Sequence, residues 1–309
     1  MSALLEISNL NVTFKTRTGK GYAVTDVSAS VERNKVTAIV GESGSGKSVL
    51  GSAIVGLLPV NAKAEGSIVF DGRELIGLSD TQYDSVRGEQ IGWVAQNAIS
   101  ALNPSFKIKE LVSEAPFHKH RIKWKQKRAF ANEQLRKANL CEAVAENYSF
   151  ELSGGMAQRA LIATGIGLDP SFLILDEPTK GLDPVNTESI KDLILALARS
   201  GKTLLVITHD VKLAKEIADQ VWVFYGSKIV EMADADSFFD APAHPYSQGL
   251  LDALPSRGLK AIAGESPSFY TRPSGCPFEP RCPHARPECV SWSEFVNLDD
   301  RQVLCLKYC

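Results

Sequence analysis

Val36-Thr37-Ala38-Ile39-Val40-Gly41-Glu42-Ser43-Gly44-Ser45-Gly46-Lys47-Ser48 is the stretch on which the reading of the whole chain turns. Its first five residues form a short apolar run, the pattern of a strand buried on both faces. The next eight match G-x-x-x-x-G-K-[ST]. By residue frequency alone that pattern arises in about one chain per hundred of this size, so context decides its meaning. Here a buried strand precedes it, and a helix from about Lys47 to Leu57, stopped by Pro59, is predicted to follow. Gly41, Gly44 and Gly46 let the N–H groups of the loop, Ser43 and Ser45 included, converge on phosphate oxygens, while the following helix points its positive end at the same anion. Lys47 is placed to reach the β- and γ-phosphates of a nucleotide and Ser48 to ligate Mg²⁺.

Working outward, Ser171 to Leu175 and Thr203 to Ile207 read as two further buried strands, and Pro184 to Arg199 as an amphipathic helix with Asp183 at its N-cap. Strands alternating with helices argue for a mostly parallel, helix-covered sheet. Leu4 to Leu10 and Tyr22 to Val31 read as strands near the start. Gly66 to Leu75 reads as a hairpin turning at Asp71-Gly72, and Val221 to Tyr225 with Lys228 to Met232 as a final strand pair around Gly226. From about 80 to 168 the pattern is helical with few strand signals, as an inserted subdomain would be. After about 240 the texture changes to Pro-, Cys- and aromatic-rich segments.

The strand Phe172-Leu173-Ile174-Leu175 ends in Asp176-Glu177. That puts two carboxylates at the carboxyl edge of the sheet, where open α/β sheets bind ligands. Asp176 suits indirect coordination of Mg²⁺, and Glu177 suits activation of an attacking water. Leu152-Ser153-Gly154-Gly155-Met156-Ala157-Gln158-Arg159 opens a helix and makes a second anion-binding nest. One chain does not need two γ-phosphate sites. Two facing chains do, each completing the other's.

Composition narrows the class. The 309 residues are 44% hydrophobic and 23% charged, as in an ordinary globular protein, and a net charge of -2 gives no global pointer to nucleic acid. No apolar run approaches the roughly 20 residues of a membrane-spanning helix, and the N-terminal stretch lacks the features of a secretory signal. The expectation is a chain that stays in the cytoplasm and serves a membrane only by docking to other chains. His118 to Arg128 carries six Lys/Arg and reads as a solvated helix face; Cys141 and Trp124 read as packing residues. Of six cysteines, five fall within Cys276 to Cys309. In a cytosolic chain that favours metal over disulfides.

Together these residues resemble the ATP-binding subunits of ABC transporters. The motifs come in that family's order: Walker A at 41–48, Gln96 as the Q-loop, the signature at 152–159, Walker B at 173–178, Gly181-Leu182-Asp183 as the D-loop and His209 as the switch histidine. Phe14 matches the aromatic that stacks on adenine. The fold implied is an α/β P-loop NTPase of ABC type with a RecA-like core, an antiparallel β subdomain, an inserted helical subdomain (about 86–168) and a C-terminal cysteine-rich extension. The ATPase domain would occupy 1–240 and the extension 241–309. The resemblance further implies ATP and Mg²⁺ as ligands, with Ser48, Gln96 and Asp176 at the metal. Glu177 would act as general base and His209 at the γ-phosphate. Ser153, Gly154, Gly155 and Gln158 would be offered in trans to a facing subunit. Lys180-Gly181 replaces the commoner Ser-Ala before Leu182-Asp183, which puts the D-loop's pairing in question.

A finer resemblance links Gln96 to Pro104, His244 to Leu251 and Gly275 to Cys289 with oligopeptide, dipeptide and nickel importer ATPases. It implies two transmembrane permease subunits, a second ATP-binding subunit or a copy of this chain, an extracytoplasmic substrate-binding protein, and a place on the cytoplasmic face of the cell membrane. No nucleic-acid partner is implied. The alternative is a soluble ABC ATPase of a non-transport process. Cys276, Cys282, Cys289 and Cys305 could hold a [4Fe–4S] cluster or zinc, with Cys309 or His284 as substitute ligands, or remain free or disulfide-linked. The spacing lacks the CxxC pairs of ordinary structural zinc sites, and the resemblance favours the cluster. The cargo, whether peptide, nickel, metal chelate or oligosaccharide, is not written in this chain.

Overall fold

A computed structural model describes residues 3–119 and 121–309; His120, within the basic stretch, and the first two residues lie outside the described set. The chain opens with a long hairpin, β1 (Ala3–Thr16) and β2 (Gly19–Glu32). Both strands run further than their apolar alternation predicts. Cross-strand pairing continues through Thr13 opposite Tyr22 and Thr16 opposite Gly19, beyond the buried apolar run that ends at Val12. β3 (Val36–Val40) is buried at every residue and leads into α1 (Lys47–Ile54). The helix stops short of the expected Leu57, because the chain swings into the left-handed region at Gly56. β4 (Ala62–Phe70) and β5 (Arg73–Glu74) flank Asp71 and Gly72, both at positive φ, the turn the sequence predicts.

α2 (Asp80–Tyr83), β6 (Ile91–Val94), α3 (Ala98–Ala101), α4 (Ile108–His118), α5 (Lys127–Lys137) and α6 (Gly154–Gly165) follow. β6 lies inside the stretch expected to be helical. It pairs in parallel with β7 (Phe172–Asp176), Gly92 opposite Leu173, and that long-range partner is what a local pattern cannot reveal. α7 (Pro184–Arg199), β8 (Thr203–Ile207), α8 (Val211–Ile217), β9 (Gln220–Tyr225) and β10 (Lys228–Asp234) match expectation closely. α9 (Ala235–Asp240), α10 (Pro245–Asp252), β11 (Val296–Leu298) and β12 (Arg301–Val303) complete the chain.

The chain divides into two compact units, residues 1–78 with 207–309, and residues 79–206. The first holds an antiparallel sheet ordered β2-β1-β4-β5, and strands ordered β11-β12-β10-β9-β3, with β3 and β9 parallel. The C-terminal segment is part of its core. β12 pairs with β10, and Tyr246, Leu251, Phe278 and Leu304 are buried among Val221, Val223, Tyr225 and Val230. Glu231, fully buried, accepts the N–H groups of Ala243 and His244 at 2.8 Å each, with Arg301 3.6 Å away.

The second unit packs α4, α5 and α6 around Ile108, Val112, Ala131, Leu135, Ala157 and Ile162, beside the strands β8, β7 and β6. Two residues read as packing are not. Cys141 is exposed, at the N-cap of a short 3₁₀ turn, and Trp124 is 68% exposed, with the Lys127 ammonium 4.7 Å from its ring centre. An exposed indole paired with a cation needs no apolar pocket.

Candidate functional site

In the first unit the phosphate loop hangs between β3 and α1. Gly46 is the N-cap, with φ at +112°, and a Cβ there would stand 2.0 Å from the Ala23 carbonyl oxygen, so only glycine fits. Ser43 and Gly44 are exposed at the loop's crest, while Ser45 and Lys47 are buried and Ser48 half-buried. Lys47 Nζ donates to the carbonyls of Gly41 and Glu42 at 2.8 Å each, which centres the ammonium within the loop. The loop is braced from behind: Ser227 N–H donates to the Ser45 carbonyl, and Thr25 N–H to the Ser227 carbonyl.

His209 is exposed just past β8. Its neighbours fix it. Thr208 N–H donates to the Ile39 carbonyl of β3, and the Asp210 side chain caps α8 by accepting from Lys212 and Leu213 N–H, both at 3.0 Å. Phe14, near the end of β1, is half-buried beside an open groove of about 530 Å³ lined by Lys15, Lys20 and Lys63 among others. Its ring centre lies 6.0 Å from that of Phe269.

In the second unit Asp176 and Glu177 sit at the end of β7 with 3% and 9% of their surface exposed. Glu177 has φ at +50°, a conformation that costs a non-glycine residue about 1–2 kcal/mol and recurs where function dictates backbone geometry. Ser153 caps α6, its Oγ accepting from Met156 N–H at 3.3 Å, and stands exposed with Gly154. Gly155 is buried, because a Cβ would meet Asn186 Oδ1 at 2.0 Å. Gln158, expected on the face offered to a partner, is 6% exposed, and its amide nitrogen has no hydrogen-bond partner. Gln96 is exposed after β6, next to Asn97 at positive φ. Asp183 caps α7, and its bonds from Asn186 hold the carboxyl below the usual range. Lys180 is exposed in the turn before it.

The structure gathers Cys276, Cys282, Cys289 and Cys305 around one narrow cavity of about 20 Å³, with His244, His284 and Trp292. All six cysteines are free thiols, and Cys309 is exposed. Burial pushes the Cys276 thiol up to about 12 and raises Cys282 and Cys305. His244 Nδ1 accepts from Tyr246 N–H, which leaves Nε2 to carry the proton 3.5 Å from Cys276 Sγ. Among the described residues no three His, Cys, Asp or Glu side chains converge as ligands of one ion. A single zinc needs four sulfurs about 2.3 Å from one point. Four thiols line the cavity, the number that either a zinc ion or an iron–sulfur cluster would take.

Sequence reasoning missed Glu42 and its partners. Glu42 N–H donates to Tyr246 Oη at 3.0 Å, and its carboxylate accepts from Ser266 Oγ and, at 3.3 Å, from Arg281 Nη1. The Tyr246 and Arg281 positions lie inside motifs already read for other purposes, so nothing local marks them.

Residues 24–180 match the model of the ABC transporter family, and residues 230–289 that of the oligopeptide/dipeptide transporter C-terminal region. The chain belongs to the ABC transporter family. It is 39% identical to the oligopeptide transport ATP-binding protein OppD of Haemophilus influenzae, over 94% of this chain and 92% of that one. It is 36% identical to the dipeptide transport ATP-binding protein DppD of Caldanaerobacter subterraneus, over 100% and 98%. Among solved structures it is similar to the dimeric ATP-binding cassette MJ0796 in a post-hydrolysis state bound to ADP and Pi. That match has a TM-score of 0.69 and 28% identity, covering 75% of this chain and 98% of that one. The chain is an ABC ATPase with the mixed parallel and antiparallel cassette fold. Among its described residues no helix is long and apolar enough to cross a membrane.

Proposed function

We propose that this ATPase powers an importer of peptides, working at the cytoplasmic face of the membrane with two permease subunits, a second ATP-binding subunit and an extracytoplasmic binding protein. The observation that carries the reading is the match of residues 230–289 to the oligopeptide/dipeptide transporter C-terminal region, in a chain whose phosphate loop is itself held by Tyr246 and Arg281 of that region. A soluble, non-transport role gives no account of it.

Each side chain then has a task. Phe14 stacks on the base. The N–H groups of the loop and Lys47 hold the phosphates; Ser48, Asp176 and Gln96 would hold Mg²⁺, which would supply positive charge to offset that of the phosphates. Glu177 accepts the proton of the attacking water as its oxygen bonds to the γ-phosphorus and the bridging oxygen leaves with ADP. His209 steadies the γ-phosphate. Ser153, Gly154 and Gly155 complete the site of a facing subunit, with Asp183 at the same interface. The four cysteines, which line one cavity with Trp292, would hold a [4Fe–4S] cluster in a structural capacity.

The test is reconstitution of the chain with its membrane subunits in proteoliposomes. Peptide-loaded binding protein should stimulate ATP hydrolysis and drive peptide uptake, and iron with inorganic sulfide should co-purify anaerobically. Hydrolysis that ignores peptide and yields no uptake would reject the importer, and iron-free folded protein would reject the cluster.

A further inference from the structure

We propose that Arg281 is a positioning residue of the nucleotide site: it neutralises Glu42 and turns its carboxylate away from the phosphate loop. Glu42 is the second residue of the loop, and its three polar groups face three ways. The carbonyl accepts from Lys47 Nζ at 2.8 Å. The N–H donates to Tyr246 Oη at 3.0 Å, and the carboxylate is taken by Ser266 Oγ and Arg281 Nη1. The group that fixes the catalytic lysine is thus held on its other sides by the C-terminal segment.

The need for the clasp is electrostatic. A carboxylate in a loop that cradles a triphosphate repels the ligand the loop exists to bind, unless a cation answers it. Arg281 supplies that cation from a fixed position. Its side chain is 7% exposed against 30% for Glu42. Nε donates to the Ala263 carbonyl at 2.8 Å, Nη2 to the Ile262 carbonyl at 3.1 Å and Nη1 to Tyr225 Oη at 2.9 Å. A guanidinium so tied cannot follow the carboxylate, so the carboxylate must come to it. Tyr246 Oη, itself buried and packed on the Tyr225 ring, orients the backbone of the same residue.

The inference rests on ATP occupying the loop. The test is the affinity of the full chain for ATP, read by displacement of a fluorescent analogue, in Glu42→Gln, Arg281→Gln and the double variant. Arg281→Gln should raise the Kd for ATP by about 3- to 10-fold, and that for ADP, with less charge, by less. Glu42→Gln alone keeps the backbone contacts and drops the carboxylate, so it should bind ATP more tightly, by about 2- to 3-fold. The double variant should return to within about twofold of wild type, because the charge that Arg281 answered is gone. A role confined to scaffolding Ile262, Ala263 and Tyr225 would leave the double variant as weak as Arg281→Gln, and that result overturns the proposal, as does an unchanged Kd in Arg281→Gln. Should Arg281→Gln not fold, Ser266→Ala loosens Glu42 without touching Arg281. It should weaken ATP about 2- to 3-fold, an effect erased by Glu42→Gln; no change sinks the idea. A wild-type chain that binds no ATP would refute the site itself, a different outcome from a wild type that binds and an Arg281 variant that binds equally.

Discussion

Glu177 joins a strained backbone to the role proposed for it in hydrolysis. Its carboxylate follows a strand of which every residue is buried, and its own backbone sits in the left-handed region. That conformation costs free energy, so the surrounding turn must impose it, with Lys180 N–H donating to the Glu177 carbonyl at 3.2 Å. Gln has the same shape and the same backbone cost but accepts no proton. Glu177→Gln should therefore melt within about a degree of wild type and keep its affinity for ATP, while turnover falls at least about 100-fold, within the range that loss of a general base produces. A variant hydrolysing ATP at the parental rate would remove Glu177 from the chemistry. The places of the acidic pair, Lys47 and His209 in the fold were legible in the sequence, because each stands at a fixed offset from an apolar strand. Glu42 was not: its importance lies in Ser266 and Arg281, more than 220 residues away in sequence. Gln158 was misplaced in the other direction, since a polar residue in a motif gives no local sign of which face of its helix is buried.

At the scale of elements, what could be read was what is buried on both faces or capped. β3, β7, β8 and α7 came out nearly to the residue because continuous apolar runs and the Asp183-Pro184 start are strong local signals. β6, β11 and β12 are three or four residues long, too short for a period, and exist because a neighbouring strand supplies their partners. The short helix α8 depends on its cap in the same way that those strands depend on pairing. Asp210 satisfies two N–H groups at its start and sets the entry angle one residue after His209. Asp210→Ala should cost about 1 kcal/mol of stability. It should also lower kcat more than it raises KM, because the role proposed for His209 is at the γ-phosphate and not at the base. Asn at the same position retains the cap, and Asp210→Asn should recover most of both losses. Equal loss of activity in the Ala and Asn variants, measured in the assembled transporter, would show that the negative charge and not the cap is what matters.

At the scale of the whole chain, the change of texture near residue 240 reads as the edge of a module, yet the first unit draws its core from both sides of that point. Phe238 and Phe239 on one side and Tyr246, Leu251, Phe278 and Leu304 on the other are packed in one cluster with the strands that carry the phosphate loop. Composition misleads here because proline, cysteine and short 3₁₀ turns carry no helix or strand period, while burial needs none. The energetics follow from the packing. Leu251, Phe278 and Leu304 alone contribute about 5–9 kcal/mol of apolar burial, which compares with the roughly 5–15 kcal/mol by which a whole domain is stable. Removing 241–309 would also bare the β10 edge and leave Glu231, fully buried, without the N–H groups of Ala243 and His244. A chain ending at Asp240 should therefore be insoluble, or expanded with lost near-UV dichroism, and should not bind ATP even at millimolar concentration. Cys282→Ser and Cys289→Ser, which leave that packing in place, should keep ATP affinity within about threefold if those thiols serve only to staple the segment. A soluble, cooperatively melting 1–240 fragment that binds ATP like the parent would mean that the C-terminal segment is an appendage and that the core closes without it.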